Sequence, residues 1–186
     1  IRLVGAPLFD DFFRDFKPSG SREKFCQELG LRSEDLILLY IGSSGIFGDE
    51  SEFIKSIKSA LDESEDMRVR RTQIIVRPHP SNRRNYKKMV AGLNDITVAP
   101  AIGEMPSTPE TLQFFYDSLN QAAAVTGIGS SGFINAIIAN KPAVTVLSDQ
   151  YHHIQAEAPH FKHLVKSGAI KSLNNFAELP VFLKGI

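Results

Sequence analysis

Three short loops of this sequence contain residue types that bind phosphate. In the first, Arg77-Pro78-His79-Pro80, both Arg77 and His79 precede a proline, which restricts each to extended backbone. A guanidinium is a planar donor that matches phosphate oxygens, and an imidazole can donate a hydrogen bond or a proton to the same group. The alternative for this pair is a loop histidine and an arginine that pairs with a surface carboxylate.

The second loop, Gly129-Ser130-Ser131-Gly132, lies between the small and β-branched segment 122–126 and the helical segment 133–139. A strand that enters a helix through such a loop points free N–H groups and the positive end of the helix dipole at one spot. The hydroxyls of Ser130 and Ser131 are two further hydrogen-bond donors at this position, which therefore suits a phosphate. The alternative is that Ser130 and Ser131 cap the helix, and the loop fits this role as well as it fits a phosphate site.

The third loop, Gly42-Ser43-Ser44-Gly45, ends the most apolar segment of the chain, residues 36–41. By itself this composition is typical of turns. Strands alternate with helices along the whole sequence, which predicts a Rossmann-like three-layer α/β/α domain with a mainly parallel sheet. Ligands of such sheets bind beyond the carboxyl ends of the strands, so we expect the three loops to converge there.

Hydrophobic periodicity, caps and breakers predict the elements of this domain. The predicted strands are 2–4, 36–41, 74–76, 96–99, 122–126, 144–147 and 169–171. The predicted helices are 21–30, 49–65, 82–93 with a basic face, 107–121, 133–139, 160–166 and one that begins at Asn175. Residues 151–157 are predicted to be irregular or weakly helical.

Composition limits the classes of partner and compartment. The chain of 186 residues has 21 basic and 21 acidic side chains, so no net charge attracts it to nucleic acid. Its one cysteine, Cys26, fits a reducing compartment, and no apolar run approaches the roughly 18 residues of a membrane span. Because the sequence begins at Ile1 without methionine, we interpret it as a piece of a longer protein whose partner domain is missing.

A basic cluster and a histidine cluster each fit more than one role. The basic residues Arg83, Arg84, Lys87 and Lys88, like Arg68, Arg70 and Arg71, fit a solvated helix face, or else a patch for anionic lipid or an acidic polymer. The group His152, His153, Glu157, His160 and His163 has no spacing typical of zinc sites, so we predict no metal. Tyr151 and the adjacent histidines could instead line a ligand crevice.

Taken in order, these motifs resemble the C-terminal, donor-binding domain of GT-B glycosyltransferases, in particular the CDP-glycerol glycerophosphotransferases and the capsule polysaccharide and sialic-acid transferases. The resemblance covers most of the chain. Its segments are 4–10 (VGAPLFD, similar to GxPxxD), 38–44 (LLYIGSS), 77–80 (RPHP), 129–131 (GSS), 140–142 (NKP), and Gln155 with His160, Phe161 and Leu164.

The resemblance implies a nucleotide-activated donor, CMP-, CDP- or UDP-linked, whose phosphates lie between His79 and the second loop. The implied phosphate contacts are Ser43, Ser44, Arg77, His79, Gly129, Ser130 and Ser131. The base would lie near the loop 100–107, at Ile102. Relatives often bond the ribose through a glutamate, and here the uncharged Asn135 occupies that position.

The resemblance also implies a metal-independent transfer without a cofactor, in the synthesis of surface polysaccharide or glycoconjugate. His79 would be catalytic, with Arg77 stabilising the charge on the leaving nucleotide. The base for the acceptor usually belongs to the other domain of GT-B enzymes, so we expect the isolated chain to be inactive. The expected location is the cytoplasm, with contact at the inner face of the membrane left open.

Two further functions remain open from the sequence. One is a UDP-N-acetylhexosamine 2-epimerase-like enzyme, which shares the architecture and would need more acidic residues in the crevice. The other is a non-catalytic nucleotide-binding or interaction domain, which the Asn135 departure allows.

Overall fold

The structure, a computed structural model, describes residues 7–10 and 17–186, apart from the side chains of Leu8, Ala156 and His160. Its α-helices are α1 Arg22–Leu29, α2 Ser51–Asp62, α3 Met67–Arg70, α4 Tyr86–Met89, α5 Pro109–Gln121, α6 Gly132–Ile138, α7 Pro159–Lys166 and α8 Glu178–Lys184. The strands are β1 Ile37–Ile41, β2 Gln73–Arg77, β3 Ile96–Val98, β4 Ala124–Thr126, β5 Ala143–Val146 and β6 Lys171–Leu173. The predicted strand 2–4 and most of the motif at 4–10 lie outside the described residues.

Over these ranges the strands form one six-stranded, fully parallel sheet in the order β3-β2-β1-β4-β5-β6. Strand β1 lies at the centre, with β2 on one side and β4 on the other. The order of the strands therefore reverses between β1 and β4. In open α/β sheets such a reversal opens a crevice at the carboxyl edge, where ligands bind.

The central strands are buried on both faces, as expected for a parallel sheet between helices. Leu38 and Tyr40 of β1 face one apolar cluster, to which α2, α3 and α8 contribute. Ile37 and Leu39 face a second cluster, built with α1, α5, α6 and α7. Burial of a large aliphatic side chain stabilises the fold by about 1.5–3 kcal/mol, so β1 anchors both layers. The predicted three-layer Rossmann-like architecture is confirmed.

Local capping signals act at two helices, and at α1 they set both ends as predicted. The side chain of Ser21 accepts a hydrogen bond from the Lys24 amide at the start of α1, and Gly30 ends that helix with φ 68°. Only glycine adopts this left-handed conformation readily. At α5, Thr108 and Thr111 form a capping box, with a proline in the first turn.

Several predicted elements were wrong in extent. The predicted helix 82–93 is helical only over α4, because Asn82 is tied to a neighbouring loop and Gly92 has φ 82°. Residues 149–151 form a 3₁₀ turn and 153–157 a π-helical turn. Strand β6 begins two residues later than predicted, after the left-handed Gly168, and α8 begins at Glu178 rather than Asn175.

None of the helices in the described ranges has the length and apolar character to cross a membrane.

Candidate functional site

A cavity of about 520 Å³ opens at the carboxyl edge of the sheet, where the strand order reverses. Its wall comes from the ends of β1 and β2, the loop before α6, the loop 104–107 and the inner side of α5. The lining residues used below are Gly42, Arg77, His79, Glu104, Met105, Leu112, Phe115, Ser130, Ser131 and Asn135. The structure thus brings together Arg77, His79, Ser130, Ser131 and Asn135, as the sequence predicted.

Arg77 is the last residue of β2 and places a buried cation in this wall. It is 5% exposed, and its guanidinium carbon lies 4.5 Å from the ring centroid of Phe115. Among the described residues, neither of its terminal nitrogens has a hydrogen-bond partner. Burial lowers the pKa of Arg77 to about 10, against a smaller opposing effect of the Glu104 carboxylate. The group is therefore charged at neutral pH, and its residue lines the cavity.

A buried, charged donor without a partner costs free energy, so native proteins seldom leave one unsatisfied. The arrangement of Arg77 fits an anion that completes its hydrogen bonds when bound. The guanidinium fork suits phosphate in particular.

His79 is half-buried, and its neighbours assign its tautomer. The Nδ1 atom accepts a hydrogen bond from the Ser81 backbone N–H at 3.1 Å and lies 2.9 Å from the Ser81 hydroxyl. A ring nitrogen that accepts a bond has no proton, so the neutral ring has its proton on Nε2. Burial lowers the pKa of His79 below 6.5. At neutral pH this residue is thus an uncharged N–H donor in the cavity wall.

The loop before α6 contributes two serines with different surroundings. Ser130 is nearly buried, and its Oγ accepts a bond from the Gly132 amide at 3.3 Å. Ser131 is exposed and makes no side-chain cap bond, although it precedes the first residue of α6. The capping alternative is therefore not supported for Ser131.

Gly129, a predicted phosphate contact, does not line the cavity. A Cβ atom at this position would lie 2.3 Å from Cγ2 of Ile154. Glycine here lets the loop approach the π-helical turn closely, which is a packing requirement. The loop therefore needs this glycine whatever its role toward phosphate.

The two serines of the third loop lie outside the cavity wall. Ser43 is fully buried outside the cavity wall, and its amide donates to the two carboxyl oxygens of Glu50, at 2.9 and 3.2 Å. Ser44 is half-buried and also outside the wall; the Ser81 hydroxyl donates to its hydroxyl at 3.4 Å. A phosphate would have to displace the Glu50 carboxyl group to reach the Ser43 amide, and the role of Ser43 toward phosphate stays a prediction.

Glu50, Tyr86 and Asn82 form a buried network behind the cavity. The Tyr86 hydroxyl donates to Glu50, and the Asn82 side-chain amide donates to the Ser43 carbonyl at 3.1 Å and to the Tyr86 hydroxyl at 2.8 Å. The backbone amide of Asn82 donates to the His79 carbonyl at 2.9 Å. Burial raises the pKa of Glu50 against the opposing hydrogen bonds. The network fixes the loops after β1 and β2 relative to each other.

Sequence reasoning missed this network, since its members are distant along the chain. The available signal was an acidic residue five positions after the glycine-rich loop 42–45, immediately before α2. Glu104 and Phe115 of the cavity wall were likewise not singled out.

Of the two predicted nucleoside contacts, one lies in the cavity wall and the other lies outside it. Asn135 lines the cavity from α6, whereas Ile102 is 80% exposed and lies outside the wall. Next to it, Gly103 lies so close to the β2 loop that a Cβ atom would be 2.2 Å from the His79 carbonyl oxygen. The loop 100–107 therefore crosses the His79 loop at Gly103, and its later residues reach the cavity.

The histidine group forms no metal centre in the part of the chain that the structure describes, which contains no cluster of three or more suitable ligands. His152 and Glu157 lie 4.0 Å apart on the surface. The expectation that no metal binds stays a prediction.

No family model and no curated protein matches this sequence. Solved structures do match. WaaG, a glycosyltransferase involved in lipopolysaccharide biosynthesis, has a TM-score of 0.56 at 16% identity, covering 94% of this chain and 45% of that one. ADP-heptose LPS heptosyltransferase II of E. coli has a TM-score of 0.54 at 15% identity, over 85% and 44%. The chain has the fold of one half of a GT-B protein.

The GT-B fold does not by itself separate transferases from epimerases. The UDP-GlcNAc 2-epimerase of Methanocaldococcus jannaschii matches with a TM-score of 0.53 at 15% identity, over 89% of this chain and 42% of that one. The chain spans less than half the length of each of these structures. Its function must therefore be argued from the cavity.

Proposed function

We propose that this chain is the donor-binding half of a GT-B transferase, a glycosyltransferase or a glycerophosphotransferase, in the synthesis of surface polysaccharide or glycoconjugate. The proposed donor is activated by CMP, CDP or UDP, and the proposed location is the cytoplasm. A second domain, which would bind the acceptor, completes the enzyme. The single observation behind the proposal is the buried Arg77 guanidinium, which has unpartnered nitrogens beside a cavity at the strand reversal.

In this proposal the donor phosphates lie among three kinds of hydrogen-bond donor. Arg77 supplies a charged fork, His79 supplies Nε2–H, and Ser130 and Ser131 supply hydroxyls. Leu112 and Phe115 form an apolar part of the wall, which would strengthen these interactions by lowering the local polarity. Asn135 can hydrogen-bond a ribose hydroxyl.

These groups also fit the chemistry of transfer. When the bond between the transferred group and the leaving nucleotide breaks, negative charge grows on the nucleotide phosphate. Arg77 and the neutral His79 would stabilise that charge through fixed donors that need no rearrangement. Removing one such donor typically reduces kcat by about 10²–10³-fold. The acceptor hydroxyl must lose a proton, and we propose that the second domain supplies the base.

Calorimetric titration of the chain with CMP, CDP, UDP and GDP tests the donor site. We expect at least one nucleoside diphosphate to bind more tightly than its monophosphate, and the free nucleoside to bind weakest. Arg77→Met should abolish this preference for phosphate, whereas Arg70→Met, an exposed arginine before β2, should not. Absence of binding by all four nucleotides at millimolar concentration would contradict the proposal.

A UDP-N-acetylhexosamine 2-epimerase-like enzyme is the second candidate. The structure favours it in one respect, because the Glu104 carboxylate lines the cavity and an epimerase needs a group that can accept or donate a proton. Conversion of UDP-GlcNAc by the full-length protein, followed by NMR, would support this activity. Nucleotide binding without any turnover, with UDP-GlcNAc or with varied donors and acceptors, would instead indicate a non-catalytic binding domain.

A further inference from the structure

Exposed cations and one exposed apolar side chain lie on two neighbouring loops beside the cavity. We call this surface the basic patch; it consists of Ile46, Arg83, Arg84, Lys87 and Lys88, all exposed. Ile46 is 84% exposed, the largest value among the exposed large apolar residues of the described chain. An isoleucine with this exposure has no packing role in the domain itself.

Contacts between two loops bring the parts of the basic patch together. The Arg84 guanidinium donates to the Gly45 carbonyl at 3.1 Å, and the adjacent hydroxyls of Ser44 and Ser81 lie 3.4 Å apart. The residue after Gly45 is Ile46. The Arg84 guanidinium and the loop that carries Ile46 are therefore neighbours in space, although they are distant in sequence.

The charge of the basic patch is mostly uncompensated. Within residues 7–10 and 17–186, none of its four cations forms a salt bridge, and Asp49 is the carboxylate near Arg84. The other basic cluster lies before β2, at the opposite edge of the sheet, and differs. There Arg71 pairs with Glu34 and Asp35, and Asp66 caps the helix of Arg68 and Arg70.

We propose that the basic patch docks onto an anionic membrane surface. Lysine and arginine side chains attract acidic headgroups, and an exposed aliphatic side chain among them inserts into the headgroup region. A soluble acidic polymer would satisfy the cations but would leave Ile46 in water, so the membrane fits the patch better. His79 and Pro80 precede the patch directly, and docking would thus hold the cavity close to the bilayer.

Vesicle co-sedimentation of the full chain tests this docking. The protein should pellet with vesicles of phosphatidylcholine and phosphatidylglycerol and stay in solution with phosphatidylcholine alone. Because surface charge is screened by salt, raising NaCl from about 0.05 to 0.5 M should release it. Pelleting with both kinds of vesicle, or with neither, would overturn the proposal.

Substitutions in the basic patch test which side chains contact the membrane. Lys87→Gln with Lys88→Gln should weaken partitioning roughly 30-fold, since each cation near the surface contributes about fivefold. Ile46→Ser should weaken it several-fold while the salt dependence stays the same. The matched control, Arg68→Gln with Arg70→Gln, removes two charges from the opposite edge and should leave partitioning unchanged. An equal loss in the control, or binding to heparin without binding to vesicles, would overturn the proposal.

The docking proposal is independent of the donor site. Vesicle binding that persists in Arg77→Met, which should lose nucleotide binding, would separate the two.

Discussion

The carboxyl group of Glu50 accepts hydrogen bonds from the backbone N–H of Ser43, the residue after the glycine that ends the central strand. A loop that has the composition of an anion site thus already has a carboxyl group of this chain as its partner. Through Tyr86 and Asn82 the same carboxyl group is connected to the loop of His79. The geometry of the cavity should therefore depend on a residue that does not line it.

Glu50→Ala is expected to lower the free energy of unfolding by roughly 2–4 kcal/mol, because the buried Ser43 amide and the Tyr86 O–H would both lose their acceptor. Urea unfolding measures this change. Asp49→Ala is the matched control: the exposed Asp49 carboxylate accepts a hydrogen bond from the Ser51 amide two residues away, so the loss should be much smaller. Similar losses in the two variants would argue against the network.

Glu50 should also make stability depend on pH. Its folded pKa is raised above 4.5 by burial, so the folded state holds this proton more tightly than the unfolded state. The stabilisation is complete below 4.5 and is lost as pH rises through the folded pKa. The side chain in Glu50→Gln cannot ionise, so the variant should not lose stability in this way. The difference in free energy of unfolding between parent and variant should therefore shrink as pH rises through this window. A constant difference across the same pH range would show that Glu50 does not titrate as expected.

Arg77→Met should stabilise the unliganded protein by roughly 1–3 kcal/mol while it abolishes nucleotide binding, because a buried unpaired cation is replaced by an apolar side chain of similar length. Thermal unfolding with and without CDP measures both effects. Arg22→Met is the control, since Arg22 donates to three carbonyls, of Ser33, Asp35 and Gln121, each at 2.7 Å. That substitution should destabilise. If Arg77→Met destabilises equally, Arg77 has a structural role.

His79 should make nucleotide affinity sensitive to acid. Its folded pKa lies below 6.5, so the unliganded protein loses stability as pH falls below that value. A bound phosphate favours the imidazolium, and affinity should therefore rise as pH falls through the folded pKa. Titrations of the parent and of His79→Ala at several pH values separate this effect from protonation of the nucleotide itself.

At neutral pH, His79→Ala should weaken nucleotide binding by about 1–3 kcal/mol, and Ser130→Ala should do the same, with folding little changed. If both variants bind like the parent at every pH, the phosphates do not lie at this edge of the cavity.

Gly103→Ala should weaken nucleotide binding and lower stability by roughly 1–3 kcal/mol, because the new Cβ would lie 2.2 Å from the His79 carbonyl oxygen and the two loops must separate. Gly20→Ala is the control, as its Cβ would meet only the end of the Lys24 stem, at 3.5 Å. Calorimetry and thermal unfolding of both variants measure the changes. Unaltered binding in Gly103→Ala would show that the crossing of the loops does not shape the site.

The parallel sheet could be predicted because it depends on local patterns, and so could the meeting of the loops 77–80 and 129–132. Continuous apolar strands, a capped amphipathic helix and small-residue loops each have a signal within about a dozen residues. Arg77 and Ser130 lie at the ends of different strands, and the topology of a parallel sheet alone brings those ends together.

The surroundings of Ser43 and the extent of the helix at 82–93 could not be predicted, because both depend on residues that are distant along the chain. Ser43 and Ser130 occur in nearly identical loops, but only the first is next to a buried carboxyl group. The segment 82–93 has helical composition, yet the hydrogen bonds of Asn82 to a distant loop outweigh that propensity over most of its length. Both differences arise from tertiary contacts that no window of sequence contains.

The cavity wall comes from the ends of β1 and β2 and from the start of α6, which are far apart along the chain. Parallel strands cannot pair through a hairpin, so each segment joins the sheet only after a crossover connection has formed. Such non-local pairing makes folding slow. A nucleotide that contacts all three segments would recognise only chains in which the central strand has both neighbours, so its binding would report the completion of folding and protect the finished domain from proteolysis.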